Sequence, residues 1–277
     1  MKIIDFDDLF HKHLAGWMRE RAASGVSPEQ MEEQVGAEYV RFINLPTPAL
    51  DGATPAAYFA AMTDMDQLVA GMRAYQNAGI EPPELLTDRI GEFGAQAVDP
   101  LLRLATDSAC AGDLRATALN LMIGLGDARP IQLCFQLIDA RAANDDLADI
   151  AAELLQSLGE KPVPLMLDKL KDAHPESLKT YLDLLCNFPG DERIYTYVLH
   201  EFHVRVSERA LFASLLGKLG DPRAIAPLTA ALSMADLNYL DYLEIANAID
   251  MLGGDAGERT RDFSGDPDYE ALKGFRP

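Results

Sequence analysis

Residues 215–232 read LLGKLGDPRAIAPLTAAL, a helix that stops and a helix that restarts. Upstream, Glu208 to Leu219 places Leu211, Leu215, Leu216 and Leu219 on one apolar stripe at i, i+4, i+5 and i+8. Gly220 ends that helix, because glycine takes a left-handed conformation without a Cβ clash. Asp221 is placed to accept backbone N–H bonds as the next N-cap, which is worth about 1 kcal/mol. Pro222 follows at the first helical position, where its missing N–H costs nothing. Ile225, Leu228 and Leu232 then form a second stripe.

The same grammar recurs. Six apolar, helix-periodic stretches end at Gly94, Gly126, Gly159, Gly190, Gly220 and Gly253, at intervals of 32, 33, 31, 30 and 33 residues. Gly126-Asp127 and Gly190-Asp191 repeat the stop and cap, Gly159-Glu160-Lys161-Pro162 is a degraded version, and after Gly94 the restart is Ala95 to Pro100. A pair of helices of this length cannot bury its stripe alone. Stacked pairs share a continuous core, in which each buried leucine is worth roughly 1.5–3 kcal/mol. The pattern therefore predicts an all-α fold, an α-solenoid of antiparallel helix pairs, over residues 84–252.

On these residues the segment 84–252 resembles HEAT repeats of the short bacterial type named after phycobiliprotein (PBS) lyases. The fifth repeat, Leu219-Gly-Asp-Pro-Arg-Ala-Ile-Ala-Pro-Leu228, is very close to that family's pattern. The second and fourth keep Asp127/Arg129 and Asp191/Arg193, the first and third lack the pair, and the sixth has decayed. The resemblance implies a curved superhelix that binds on a concave face lined by the second helix of each repeat. It also implies that Asp127, Arg129, Asp191, Arg193, Asp221 and Arg223 are structural, forming a ladder between repeats.

Residues 1–83 lack the repeat and read as an N-terminal helical cap. An amphipathic helix is expected over Asp7 to Ala23. A second starts at Ser27-Pro28-Glu29-Gln30 and runs through Met31, Val35, Tyr39 and Phe42-Ile43. Leu50-Asp51-Gly52 reads as a turn, Thr54-Pro55 starts a short helix, and Asp64 to Asn77 is another. Trp17 is expected in the core of this cap. Residues 253–277 read as a polar tail lying on the last repeat, anchored by Tyr269, Leu272 and Phe275.

Composition narrows the function. Of 277 residues 48% are hydrophobic and 25% charged, as in a folded soluble chain. Forty-four acidic against 24 basic residues leave a net charge of −20, so neither nucleic acid nor an anionic membrane is an expected partner. That balance also sets the chain apart from HEAT-like alkylpurine glycosylases, which grip DNA with a basic face. Cys110, Cys134 and Cys186 are isolated and lie in apolar helical context, so they are expected to be buried, inert and reduced, in the cytoplasm of a bacterium. No leader and no membrane span are read from the sequence.

Metal-ligand residue types cluster once, at His200-Glu201-x-His203, where the two histidines share a helix face. The deoxyhypusine hydroxylases, a HEAT-type family, hold two irons with several His-Glu pairs, and this chain has one. A site needs three or four ligands, so no metal and no cofactor is expected. His11 and His13, two apart, diverge on a helix. Tyr197, His200 and Glu201, with Gln132 and Gln136, interrupt the apolar stripes of second helices and are the expected groove contacts. The expectation is a non-catalytic scaffold for a neutral or basic protein or peptide. The alternative is a lyase-like or metal-dependent enzyme built on HEAT repeats.

Overall fold

Gly220 adopts φ 74° and ψ 15°, and its N–H closes on the carbonyl of Gly217. All six spaced glycines have positive φ, from 54° at Gly94 to 113° at Gly190. A Cβ at any of them would meet nothing within 4 Å, so conformation, not space, demands glycine there. Asp221 then accepts a bond of 2.9 Å from the N–H of Arg223. Pro222–Ala224 form a tight 3-10 turn before the α-helix proper, so the restart is more tightly wound than the sequence suggests.

The computed structural model describes residues 1–141 and 146–273, and among these the fold is all-α with no strand. The helices are α1 (Phe6–Ala23), α2 (Pro28–Glu32), α3 (Val35–Ile43), α4 (Pro55–Ala60), α5 (Met65–Asn77), α6 (Glu84–Gly91), α7 (Val98–Thr106), α8 (Gly112–Ile123), α9 (Ile131–Asp139) and α10 (Asp146–Ser157). They continue with α11 (Val163–Lys169), α12 (Pro175–Leu185), α13 (Glu192–Val204), α14 (Arg209–Leu219), α15 (Ile225–Leu232), α16 (Tyr239–Met251) and α17 (Pro267–Lys273). The chain forms two compact units, one holding α1 to α8, α9 as far as Leu137, and α10, the other holding Ile138–Arg141 and α11 onward.

In the N-terminal unit, α7 packs on α8 and α8 on α10, as expected of helix pairs stacked in HEAT fashion. Helices α4 and α5 cover α6, α5 also touches α7 and α8, and α1 lies on α2 and α3. Leu86, Ile90, Leu101, Leu104, Ala118 and Leu119 are fully buried between these layers, and Trp17 is buried in the cap. In the C-terminal unit the sequence of packed neighbours is α11–α12–α13–α14–α16, with α15 and α17 also on α16. Helices α14 and α16 approach closely at Gly217, where a Cβ would stand 3.1 Å from the Ala248 Cα.

Two expectations change. The helix expected from Pro28 to Ile43 is broken, because after Glu32 the Gln34 N–H bonds to the carbonyl of Met31, a tighter i→i+3 closure. In the tail, Phe263 is the buried anchor, with its ring centroid 5.3 Å from that of Tyr239 and 5.1 Å from that of Tyr242. Tyr269 meets Tyr239 edge-to-face with ring centroids 5.1 Å apart, as a tail anchor should, while the Leu272 side chain and Phe275 lie outside the described residues.

The glycine argument has a clear test. Gly220→Ala forces a left-handed alanine and should destabilise the fold by about 1 kcal/mol. Gly16→Ala, inside α1 with ordinary φ and open space, should stabilise it by about 0.5–1 kcal/mol. Urea unfolding followed by circular dichroism reads both, and equal signs would refute the conformational account.

Candidate functional site

The Asp-x-Arg motifs come first. Arg129 bonds Asp127 through Nε at 2.9 Å and Nη2 at 2.8 Å, then reaches back to the Ala95 carbonyl at 2.6 Å and to Asp99 at 2.8 Å. Arg223 closes on Asp221 and also takes the Glu192 carboxylate with both terminal nitrogens, at 3.1 and 2.8 Å. Its guanidinium lies 4.3 Å from the centroid of the Tyr195 ring, a cation–π distance. Arg193 bonds Asp191 at 3.0 and 2.7 Å and feels the charge of Asp168. Arg129 and Arg223 thus bind their own aspartate and then a carboxylate from the second helix of the preceding repeat, on α7 and α13, while Asp168 on α11 acts on Arg193 only through its charge. Even the third repeat, which lacks the motif, contributes through Asp168.

The expected groove residues fare unevenly. His200 is exposed and Tyr197 half-buried on α13, while Gln132 and Gln136 are exposed on α9 in the other compact unit. Glu201 is buried and bonds Arg205 one turn on. Arg205 also meets Glu208 at 3.3 Å, and Lys179 bridges Glu208 and Glu176 at 2.8 and 2.7 Å. Glu201 therefore belongs to a charge network between helices and has little left to offer a ligand. His203 is exposed one turn from His200, and among the described residues no group of three or more His, Cys, Asp or Glu is placed to hold a metal ion. His13 bonds the buried Glu38 at 2.6 Å.

A feature that the sequence reading missed lies in the N-terminal unit. A cleft of about 630 Å³ opens between α1, α3, α6 and α8. Phe10 and Tyr39 form one wall, with ring centroids 5.1 Å apart and an edge-to-face angle of 82°. Asp7, Glu81 and Glu84 rim it, and Asp88 stands close enough to act on Tyr39. Burial, then the charges of Glu84, Asp7 and Asp88, push the Tyr39 hydroxyl above its ordinary pKa. A second cavity of about 390 Å³, which includes Gln76, Asp113 and Leu114, shares Glu81, Pro82 and Thr117 with the first. No Lys, Arg or His lines either cavity.

Here the carboxylates of Asp7, Glu81, Glu84 and Asp113 have no hydrogen-bond or ion-pair partner among the described residues. The only bonds these residues contribute are backbone ones, such as the Thr87 hydroxyl donating to the Glu84 carbonyl at 2.9 Å.

No protein-family model and no curated protein matches the chain. Human deoxyhypusine hydroxylase in complex with glycerol is similar over 73% of this chain and 87% of that one, at 17% identity and a TM-score of 0.28. The expectation of a non-catalytic scaffold is corrected: Glu201, a member of the expected contact set, is buried and already held by Arg205.

The cysteines are reduced and buried. Burial pushes the Cys134 and Cys186 thiols up to about 12, and it raises Cys110 as well, although Arg73 stands 2.9 Å from the Cys110 sulfur. Thiol titration with a disulfide reagent at about pH 8 should leave Cys134 and Cys186 unmodified in the native protein and modify them in urea, since the thiolate is the reactive form.

The ion pairs set a pH dependence. Arg223, Arg193 and Lys179 hold Asp221, Asp191 and Glu208 below the usual carboxylate range. A carboxylate lowered on folding adds stability that is present above its unfolded pKa, about 4, and is lost as pH falls through the folded value. Thermal midpoints should therefore hold from about pH 7 to about pH 5 and drop below about pH 4. The Asp191→Asn, Asp221→Asn double variant should show a shallower drop, and an unchanged slope would remove the motifs from the account.

Proposed function

We propose that this protein recognises a small organic cation in the cleft between α1, α3, α6 and α8. The observation that carries this is the set of unpartnered carboxylates Asp7, Glu81 and Glu84 around the Phe10–Tyr39 wall, with no basic side chain in the lining. The three carboxylates are exposed to solvent and give the mouth of the cleft a negative field that favours a cation. Aromatic faces add cation–π attraction for an ammonium or guanidinium group, about 0.5–2 kcal/mol depending on solvent access. The volume is within the range of small-molecule sites. An organic ion suits the cleft better than a bare metal, because no three of its acids are placed to share one.

Two finer assignments accompany this reading. The Gly-Asp-Pro-Arg repeat supports placing the helix pairs with the short bacterial PBS-lyase HEAT-like type. Three free cysteines support a reducing compartment such as the cytoplasm. No helix among the described residues is long and apolar enough to cross a membrane.

Isothermal titration and thermal shift with tetramethylammonium, butylamine and arginine, at low salt, test the function. Saturable binding that raises the thermal midpoint is expected, and Glu84→Gln with Tyr39→Ala should weaken it by about tenfold or more. The apo Glu84→Gln protein should be slightly more stable than the parent, because one repelling charge is gone. Absence of binding by all three cations would refute the proposal.

A further inference from the structure

Arg209, the first residue of α14, is only 7% exposed, yet its guanidinium has no hydrogen-bond or ion-pair partner among the described residues. A charge so placed is costly unless something answers it. The repeat register makes the exception visible. Arg115, Lys179 and Arg209 each stand eleven residues before a repeat glycine, Gly126, Gly190 and Gly220. Arg115 gives its Nε to the Ala105 carbonyl at 2.8 Å, and Lys179 binds Glu176 and Glu208 at 2.7 and 2.8 Å. Of these three cations, Arg209 alone binds nothing in the protein.

Its surroundings give the reason. Helix α14 packs on α13 and α16. Arg209, Phe212, Ala213 and Leu216 are buried at i, i+3, i+4 and i+7, so Arg209 begins the core-facing stripe of α14. Helical side chains lean toward the N-terminus, which carries the guanidinium to the opening of that helix. The acids nearby are already taken. Glu208 is held by Lys179 and Arg205, and Glu201 by Arg205. Asp241, buried on α16, accepts the Ala210 N–H at 2.9 Å and the Asn238 amide at 2.9 Å, and it forms no ion pair with Arg209. Glu208, at the N-cap of α14, makes no side-chain capping bond. The guanidinium is not sealed off, because among the described residues Trp17 Nε1 is the one wholly enclosed side-chain polar atom without a partner. An unpaired cation and the positive end of a helix dipole therefore meet at a point that solvent reaches.

We infer that the start of α14 is an oxyanion site, with Arg209 as the anchor for a carboxylate or phosphate group. The planar guanidinium offers N–H donors in a fixed fork that matches two oxygens of either group. The helix N-terminus favours the same sign of charge. A cation is repelled there, and a neutral ligand leaves the guanidinium charge unanswered. The net charge of −20 makes the general field of the protein repel anions, so saturable anion binding has to come from a local site.

The test is calorimetric titration and thermal shift of the intact chain with inorganic phosphate and with acetate, each against sodium chloride at matched ionic strength. At least one of the two should bind saturably and raise the thermal midpoint, and the tighter of them assigns the ligand as a phosphate or a carboxylate. Arg209→Met keeps an apolar stem and removes the charge. It should abolish the response and raise the midpoint of the anion-free protein, which the loss of a merely structural arginine would lower. Arg209→Lys keeps the charge without the fork and should weaken binding by roughly tenfold, which carries the test should the methionine variant not fold. Arg193→Met removes an arginine already bound to Asp191, so it controls for overall charge and should leave anion affinity unchanged. No response to either anion, a response that survives Arg209→Met, or a lowered midpoint of the anion-free Arg209→Met protein overturns the inference.

Discussion

One constraint governs the fold: a helix pair of about 32 residues carries an apolar stripe that it cannot cover by itself, so it must lie against the next pair. That constraint acts only if successive pairs arrive in matching orientation. The left-handed glycine at the end of each first helix supplies it, followed at Gly126, Gly190 and Gly220 by an aspartate that caps the restart. The stop reverses the chain within a few residues and keeps the stripes in register. Where pairs approach most closely, as α14 and α16 do at Gly217, even a methyl group would crowd the facing backbone. The Asp-x-Arg motifs act on the outside of the same joints. At Arg129 and Arg223 they tie the restart to the second helix of the repeat before it, in the solvent, where an individual pair contributes little and its direction matters more than its strength.

What the sequence disclosed was whatever depends on short separations. The positive φ of Gly94, Gly126, Gly159, Gly190, Gly220 and Gly253, the Ser27–Gln30 capping box and the Thr54 and Asp64 caps are all set within four residues. The break between α2 and α3 was hidden, because Met31, Val35, Tyr39 and Phe42 keep a helical period straight through it. Phe263 was hidden too, since a single aromatic in a polar stretch gives no periodic signal and its pocket is made by Tyr239 and Tyr242. Glu201 is a different case. Its partner Arg205 stands at i+4, a spacing that favours an ion pair on any helix, and that signal was available.

The cleft lay beyond sequence reading for a topological reason. Its walls come from α1, α3, α6 and α8, and Asp7 and Thr117 are more than a hundred positions apart in the chain. Phe10 and Tyr39 read individually as members of apolar stripes, and both do pack, since they touch each other and Phe10 also meets Phe42 at 5.3 Å. Only the assembled unit shows that one face of this aromatic pair is left over and that acids surround it.

The net charge of −20 takes on a local meaning at this point. Spread evenly, such a charge would repel anions and do little else. Some acids elsewhere are drawn into specific bonds, as Asp99, Asp127, Glu192 and Asp221 are by arginines. Among the described residues the carboxylates of Asp7, Glu81 and Glu84 at the cleft take part in no hydrogen bond or ion pair. A chain able to place Arg129 and Arg223 so as to satisfy two acids each has leave, chemically, to do the same here, yet the lining contains no base. If the cleft takes the cation proposed for it, binding to the folded form alone would link its occupancy to the stability of the N-terminal unit.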